Sequence, residues 1–104
     1  MSNETVLVVD DDAVTRDILR GMLESEGFIV NCCENGVSAL DLIKEKCYEV
    51  VLMDYRMPEM NGDEVTGLMR PVCPDAFIIG FSVESKDRAF LKAGANVFVE
   101  KIDL

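Results

Sequence analysis

At the centre of the chain lies the segment Tyr48-Glu-Val-Val-Leu-Met-Asp54-Tyr-Arg-Met-Pro58. Its apolar run from Val50 to Met53 is continuous and contains β-branched residues, which is typical of a central strand covered on both faces. Asp54 is the first polar residue after that run, and Pro58 prevents a simple continuation of the strand. Because ligands of open α/β sheets bind at the carboxyl ends of strands, Asp54 is a candidate site residue. The alternative is that it caps a helix or a loop.

Apolar runs alternate with helical patterns along the rest of the chain. The runs predict strands at residues 5–9, 28–33, 48–54, 77–81 and 97–99. Apolar residues spaced by three and four predict four helices between them, the first closed by Gly27, the third by Pro71 and the fourth by Gly94. Asp11 or Asp12 is expected to cap the first helix, and Asn35-Gly36 is expected to form a turn. This order predicts one α/β domain over residues 1–104, with parallel strands joined by right-handed crossovers.

Composition narrows the classes of function and of partner. The net charge of −10 argues against nucleic acid as a direct partner. No apolar run approaches the ~20 residues of a membrane span, and the N-terminus lacks the pattern of a secretory signal. The cysteines Cys32, Cys33, Cys47 and Cys73 show no C-x-x-C spacing, and there is no histidine to complete a zinc site. We therefore expect buried free thiols and a cytoplasmic location.

Charged and polar side chains follow four of the predicted strands. These are Asp10 and Asp11, then Asp54, Ser82 and Lys101. The carboxyl ends of parallel strands share one edge of a sheet, so we expect these groups to converge. Two carboxylates about 4 Å apart repel by roughly 4 kcal/mol at an effective dielectric of ~20. A Mg²⁺ ion relieves that repulsion, because it prefers a few carboxylates together with waters and a phosphate oxygen.

The same group of residues suits phosphoryl transfer. Lys101 and Ser82 can contact phosphate oxygens by charge and by hydrogen bond. A carboxylate beside a metal ion and a lysine is a plausible nucleophile toward phosphorus. The pattern therefore predicts transfer of a phosphoryl group to Asp54. A solvated acidic loop without a metal ion is the alternative.

Three segments make the chain resemble the receiver (response-regulator) domain of two-component signalling. They are Leu7-Val-Val-Asp-Asp11, Val51-Leu-Met-Asp-Tyr-Arg-Met-Pro-Glu-Met-Asn-Gly62 and Val99-Glu-Lys101. The resemblance covers nearly the whole chain. It implies a flavodoxin-like, doubly wound sheet of five parallel strands in the order 2-1-3-4-5.

The resemblance also implies a role for each matching site residue. Asp54 would be the phosphoacceptor. Asp11 would bind Mg²⁺ directly, Asp10 largely through water, and the backbone carbonyl of Arg56 would complete the protein ligands.

Three later residues match the part of the family motif that responds to phosphorylation. Ser82 would be the switch hydroxyl and Lys101 the amine that contacts the phosphoryl group. Phe98 would be the aromatic residue that changes rotamer.

The function implied by the resemblance is a Mg²⁺-dependent phosphoacceptor switch that catalyses only its own phosphorylation and dephosphorylation. The donor would be a histidine kinase or a histidine phosphotransfer protein, outside this chain because the chain has no histidine. The output would pass to a downstream protein or a C-terminal domain, through the face formed by the fourth helix and the fifth strand. One alternative is a receiver-like interaction module that binds metal but no longer switches. Another is a metal-dependent phosphatase, disfavoured because no acid lies two residues after Asp54.

The chain departs from the family pattern near its end. Ile102 follows Lys101, where the family usually has a proline, often with a cis bond. A cis bond before a non-proline residue costs about 3 kcal/mol, so we expect a trans bond or an altered loop. The interval from Ser82 to Lys101 is shorter than is typical, so the fourth helix is expected to lose a turn.

The family's fifth helix has no counterpart before Leu104. Its absence is expected to leave apolar surface open beside the first helix. A shortened chain, a longer natural chain and a homodimer that buries the patch are three interpretations of this feature.

Two charged residues flank the predicted phosphorylation site. Arg56 lies two residues after Asp54, and Glu84 lies two residues after Ser82. We predict that they pair across the mouth of the site, that Val83 narrows it, and that the phosphorylated state is therefore long-lived. The alternative is that both side chains are merely solvated.

Overall fold

The computed structural model describes residues 4–101 and contains five strands alternating with four helices. In chain order these elements are β1 (Thr5–Val9), α1 (Ala13–Ser25), β2 (Ile29–Cys33), α2 (Gly36–Glu45), β3 (Val50–Asp54), α3 (Gly62–Met69), β4 (Phe77–Ser82), α4 (Asp87–Ala93) and β5 (Val97–Glu100). The strands form one sheet in the order β2-β1-β3-β4-β5, and every neighbouring pair is parallel. The predicted flavodoxin-like α/β fold is confirmed.

The two faces of the sheet are covered unequally. Alternate residues of β1 point to opposite faces, so Leu7 and Val9 join one buried cluster while Val6 and Val8 join another. The first cluster is large, because α2, α3 and α4 all pack on it, with Phe90 of α4 fully buried. On the other face α1 is the only helix within residues 4–101, and none of its residues is buried.

Side-chain caps define where α1 and α2 begin. Asp12 caps α1 by accepting hydrogen bonds from the Thr15 amide and hydroxyl. Gly27 follows that helix with a φ of 93°, as expected for the residue that ends it. Asn35-Gly36, predicted to form a turn, instead starts α2, because the Asn35 side chain accepts from the Ser38 amide and Gly36 is the first helical residue. No helix in the described part of the chain combines the length and apolarity that crossing a membrane requires.

An apolar groove of about 720 Å³ opens between α1 and the edge of the sheet formed by β4 and β5. Val14 and Met22 of α1 and Val99 of β5 line it and are each more than half exposed. The expected open surface beside α1 is therefore present. Lys101 is the last described residue, so the predicted geometry of the Lys101–Ile102 bond lies outside the described residues.

The expectation of four free thiols is wrong for two cysteines. Cys47 and Cys73 form a disulfide, whereas Cys32 and Cys33 are free. The register of the sheet explains the pairing, because Val50 of β3 lies beside Phe77 of β4. Cys47 and Cys73 lie three and four residues before these strand positions, so their loops meet at the amino-terminal edge of the sheet.

Candidate functional site

Four strand ends bring the predicted site residues to one edge of the sheet. Asp10 directly follows β1, Asp54 ends β3, Ser82 ends β4 and Lys101 directly follows β5. Asp10 is fully buried, Asp54 is 5% exposed and Ser82 is 2% exposed. The predicted convergence is therefore observed, and it follows from the parallel arrangement of the strands.

Lys101 joins the two buried carboxylates. Its Nζ lies 3.0 Å from Asp10 Oδ2 and 3.1 Å from Asp54 Oδ1. The Lys101 amide donates to the Ser82 carbonyl at 2.7 Å, which extends the pairing of β4 with β5 by one residue. This backbone contact delivers the amine to the acids although isoleucine, not proline, follows it in the sequence.

Burial and neighbouring charges shift the pKa of Asp54 and of Lys101. Burial, together with the negative charge of Asp10, raises the pKa of Asp54 to about 6, and the contact with Lys101 only partly offsets this rise. Burial opposes the positive charge of Lys101, but its hydrogen bonds to Asp10 and Asp54 outweigh burial and raise its pKa. Asp54 is thus an acid that is held back from ionising by its surroundings.

The three acids fit a divalent cation. Carboxylate oxygens of Asp10, Asp11 and Asp54 all lie within 4.8 Å of one another, with Asp11 exposed to solvent. Three carboxylates and the single ammonium of Lys101 leave two negative charges, which a divalent ion balances. An all-oxygen set with an open, solvated side suits Mg²⁺, which retains several waters. The Arg56 carbonyl stays a predicted ligand.

Two residues that the sequence analysis did not assign to the site hold its backbone in place. The Arg16 guanidinium donates to the Asp10 carbonyl at 2.7 Å, one turn into α1. A Cβ at Gly62 would lie 2.0 Å from the Asp54 carbonyl oxygen, so only glycine permits this approach of α3 to the end of β3. A basic residue at the end of the first turn of the helix that follows the acid pair was the available signal for Arg16.

The predicted switch residues lie next to the acids and the core. Ser82 Oγ accepts a hydrogen bond from the Glu84 amide at 3.0 Å. Phe98 is half-buried and stacks on Phe90 with ring centroids 5.8 Å apart. Phe90 in turn meets the edge of the Tyr55 ring. An aromatic chain therefore connects β5 and α4 to the residue after Asp54.

Arg56 and Glu84 form the predicted ion pair. Arg56 Nε lies 2.5 Å from Glu84 Oε1, and Nη2 lies 3.0 Å from Oε2, so the contact is bidentate. The contact raises the pKa of Arg56 and lowers that of Glu84. Val83 is exposed and lines the groove beside α1. The effect of these residues on the phosphorylated state stays a prediction.

Asp54→Asn is expected to stabilise the metal-free protein at pH 7 by about 1–2 kcal/mol after allowance for solvent screening. The pKa of Asp54 is raised by folding to about 6. The charged carboxylate therefore lowers the free energy of unfolding above that pH. This loss of stability disappears below the pKa of Asp54 in the unfolded chain, about 4. The advantage of the variant should shrink as the pH falls from 7 to 4. Urea unfolding with EDTA measures it, and an advantage that grows in acid contradicts the assignment.

Comparisons with known proteins agree with this geometry. The family model described as "Response regulator receiver domain" matches residues 6–102. The chemotaxis protein CheY of Halobacterium salinarum is 37% identical over 99 residues, covering 92% of this chain and 82% of that protein.

Solved structures are similar over almost the whole chain. The response regulator TrrA of Thermotoga maritima, crystallised in complex with Mg(2+)-BeF, is 36% identical with a TM-score of 0.86, covering 95% of this chain and 87% of that one. A CheY-like receiver domain protein of Methanospirillum hungatei has a TM-score of 0.93 at 25% identity, covering 99% and 85%. From the family match, the relatives and the arrangement of acids, hydroxyl and amine, the chain belongs to the response regulator receiver domain family.

Proposed function

We propose that this chain is a phosphoacceptor switch that takes a phosphoryl group onto Asp54 in a Mg²⁺-dependent reaction. The observation that carries the proposal is the position of Lys101 Nζ, within 3.1 Å of carboxylate oxygens of both Asp10 and Asp54. Family membership supports it, as does the Mg(2+)-BeF complex of the related TrrA. In this proposal the acids hold the metal, and the amine meets the transferred group.

The reaction would proceed by in-line displacement at phosphorus. An Asp54 carboxylate oxygen forms the new bond to phosphorus, and the bond from phosphorus to the donor nitrogen breaks, leaving its electron pair on the donor. Mg²⁺ held by Asp10, Asp11 and Asp54 would supply charge neutralisation at the phosphoryl oxygens. Lys101 would exchange its contact with Asp54 for a phosphoryl oxygen, which places a positive charge where negative charge develops.

Switching would begin at Ser82. Its Oγ accepts from the Glu84 amide, so its own hydrogen can be donated to a phosphoryl oxygen. Movement of Ser82 would open space for Phe98, which already stacks on Phe90 of α4. Phosphorylation would thereby shift a pre-existing equilibrium on the face formed by α4 and β5.

The proposal also includes the phosphoryl donor and the cellular location. We assign a histidine kinase or a histidine phosphotransfer protein as donor, because relatives of this chain include a hybrid histidine kinase of Dictyostelium discoideum and a probable histidine kinase of rice. The chain would catalyse only its own phosphorylation and dephosphorylation, in the cytoplasm. The competing module that binds metal without switching is favoured by one observation, the length of α4, which has only seven residues.

Intact mass spectrometry after treatment with acetyl phosphate tests the proposal. We expect the mass to increase by one phosphoryl group in the presence of Mg²⁺, and to stay unchanged with EDTA or in Asp54→Asn. Wild-type protein that binds Mg²⁺ but gains no mass, or an Asp54→Asn variant that gains it equally, contradicts the proposal. Treatment with Mg²⁺ and acetyl phosphate could instead change the amide NMR chemical shifts of the site alone and leave those of α4 and β5 unchanged. That result would identify the module that binds metal but does not switch.

Arg56→Ala is expected to hydrolyse the aspartyl phosphate about three to ten times faster than the wild type. The substitution removes the bidentate contact with Glu84, so water reaches the acyl phosphate more easily. Decay of the phosphorylated mass after removal of the donor measures the rate. Arg88→Ala is the matched control, since Arg88 is an exposed arginine of α4. Equal rates for Arg56→Ala and the wild type would remove the proposed barrier.

A further inference from the structure

The Cys47–Cys73 disulfide has one accessible end and one buried end. Cys47 is exposed in the loop between α2 and β3, whereas Cys73 is 1% exposed and belongs to the main core cluster. A thiol in solution can therefore reach the bond from the Cys47 side only. The two residues are 26 positions apart, so the bond closes a loop that contains Asp54.

The loop that carries Cys73 is tied to the start of β5 through Arg70. Arg70 Nη1 donates to the carbonyls of Cys73 at 3.2 Å and of Ala76 at 2.7 Å. Arg70 Nε and Nη2 donate to the Gly94 carbonyl at 2.9 and 2.7 Å, and Nη2 also reaches Asn96 Oδ1 at 2.8 Å. We call these contacts the Arg70 clamp.

The Arg70 clamp connects two loops that are distant in sequence. Gly94 ends α4, and Asn96 directly precedes β5. Asn96 is also fixed to β4, because the Ile78 amide donates to its Oδ1 and its own amide donates to the Ile78 carbonyl, both at 2.8 Å. The Arg70 guanidinium therefore links the loop around Cys73 directly to the connection between α4 and β5.

We propose that Cys47–Cys73 is a reversible thiol–disulfide site whose reduction by a dithiol loosens the Arg70 clamp and increases the mobility of the α4–β5 connection. The site would add a second, redox input to the face through which the phosphorylated domain signals. That last step rests on the proposed function. The reduction and its effect on the clamp do not.

The chemistry is a two-step thiol exchange. A thiolate of the dithiol attacks Cys47 Sγ, forming a mixed disulfide, and Cys73 Sγ leaves with the electron pair and takes up a proton. The second thiol of the reductant then attacks the reductant sulfur that is bonded to Cys47. Cys47 Sγ leaves with the electron pair and is protonated. The dithiol is oxidised to a disulfide, and the protein gains two electrons and two protons. An oxidised disulfide reagent reverses both steps.

Thiol counting tests the reversible bond. The protein is oxidised with oxidised glutathione, denatured without reductant and treated with N-ethylmaleimide. We expect the oxidised protein to carry two labels, on Cys32 and Cys33. Protein reduced with dithiothreitol before labelling should carry four, and protein that is reduced and then reoxidised should again carry two. Four labels at every stage would overturn the proposal. These counts need no phosphodonor, so failure of phosphorylation at Asp54 would leave them fully interpretable.

Hydrogen exchange of the folded protein tests the link to the clamp. We expect dithiothreitol to speed exchange of the Asn96 amide and its neighbours about tenfold, with exchange in β1 unchanged. Cys47→Ser, which changes only the exposed end of the bond, should show the fast exchange with and without reductant. If reduction yields four labels but leaves exchange around Asn96 unchanged, the disulfide is a structural cross-link only and the proposal fails.

Discussion

Lys101→Met is expected to slow phosphorylation of Asp54 by acetyl phosphate about 100- to 1000-fold, the usual effect of removing one group that stabilises transition-state charge. Lys101 Nζ lies 3.1 Å from Asp54 Oδ1, so a phosphoryl group arriving at that oxygen comes within its reach. Methionine keeps an apolar side chain of similar length beside the Phe81 ring, over which Lys101 now lies, and removes only the charge.

The rate of mass gain measures this effect, and Mg²⁺ calorimetry separates catalysis from metal binding. Mg²⁺ should bind Lys101→Met at least as tightly as the wild type, because the ammonium group no longer repels the cation. Lys44→Met is the matched control, since Lys44 lies exposed on α2, where it pairs with Asp41. Phosphorylation of Lys101→Met at the wild-type rate would show that the amine has no part in the transfer.

Reduction of Cys47–Cys73 is expected to lower the free energy of unfolding by about 3.5 kcal/mol, from the loop-closure entropy of a 26-residue separation. For a domain of this size, such a loss corresponds to a fall in Tm of roughly 15 °C. The closed loop includes β3 and α3, whose side chains form much of the main core. The bond therefore restricts the unfolded chain around the part of the sequence that carries the site.

Thermal unfolding with and without dithiothreitol measures this loss. Cys47→Ser should unfold at the temperature of the reduced wild type, whatever the redox conditions. Cys32→Ser is the control, because Cys32 is a free, half-buried cysteine on β2, and its unfolding should remain sensitive to reductant. A Tm of the wild type that does not change on reduction would show that the cross-link contributes nothing to stability.

The sequence predicted the site because each of its residues follows a strand signal. Thr5–Val9 and Val50–Asp54 are short apolar runs that end on acids, and helical spacing between such runs requires parallel strands. Parallel strands end on one edge, so Asp10, Asp54 and Lys101 had to approach each other. Capping details were less certain, since Asn35-Gly36 suits both a turn and a helix start until packing selects one.

The linear sequence by itself determined the α/β architecture and the meeting of acids, hydroxyl and amine, because both follow from local periodicity and strand direction. The tertiary structure alone decided the Cys47–Cys73 bond and the Arg70 clamp. Each depends on the register between neighbouring strands and on loops far apart in the chain. No local sequence pattern encodes the spatial distance between residues of two separate loops. That distance is defined only when the sheet is assembled.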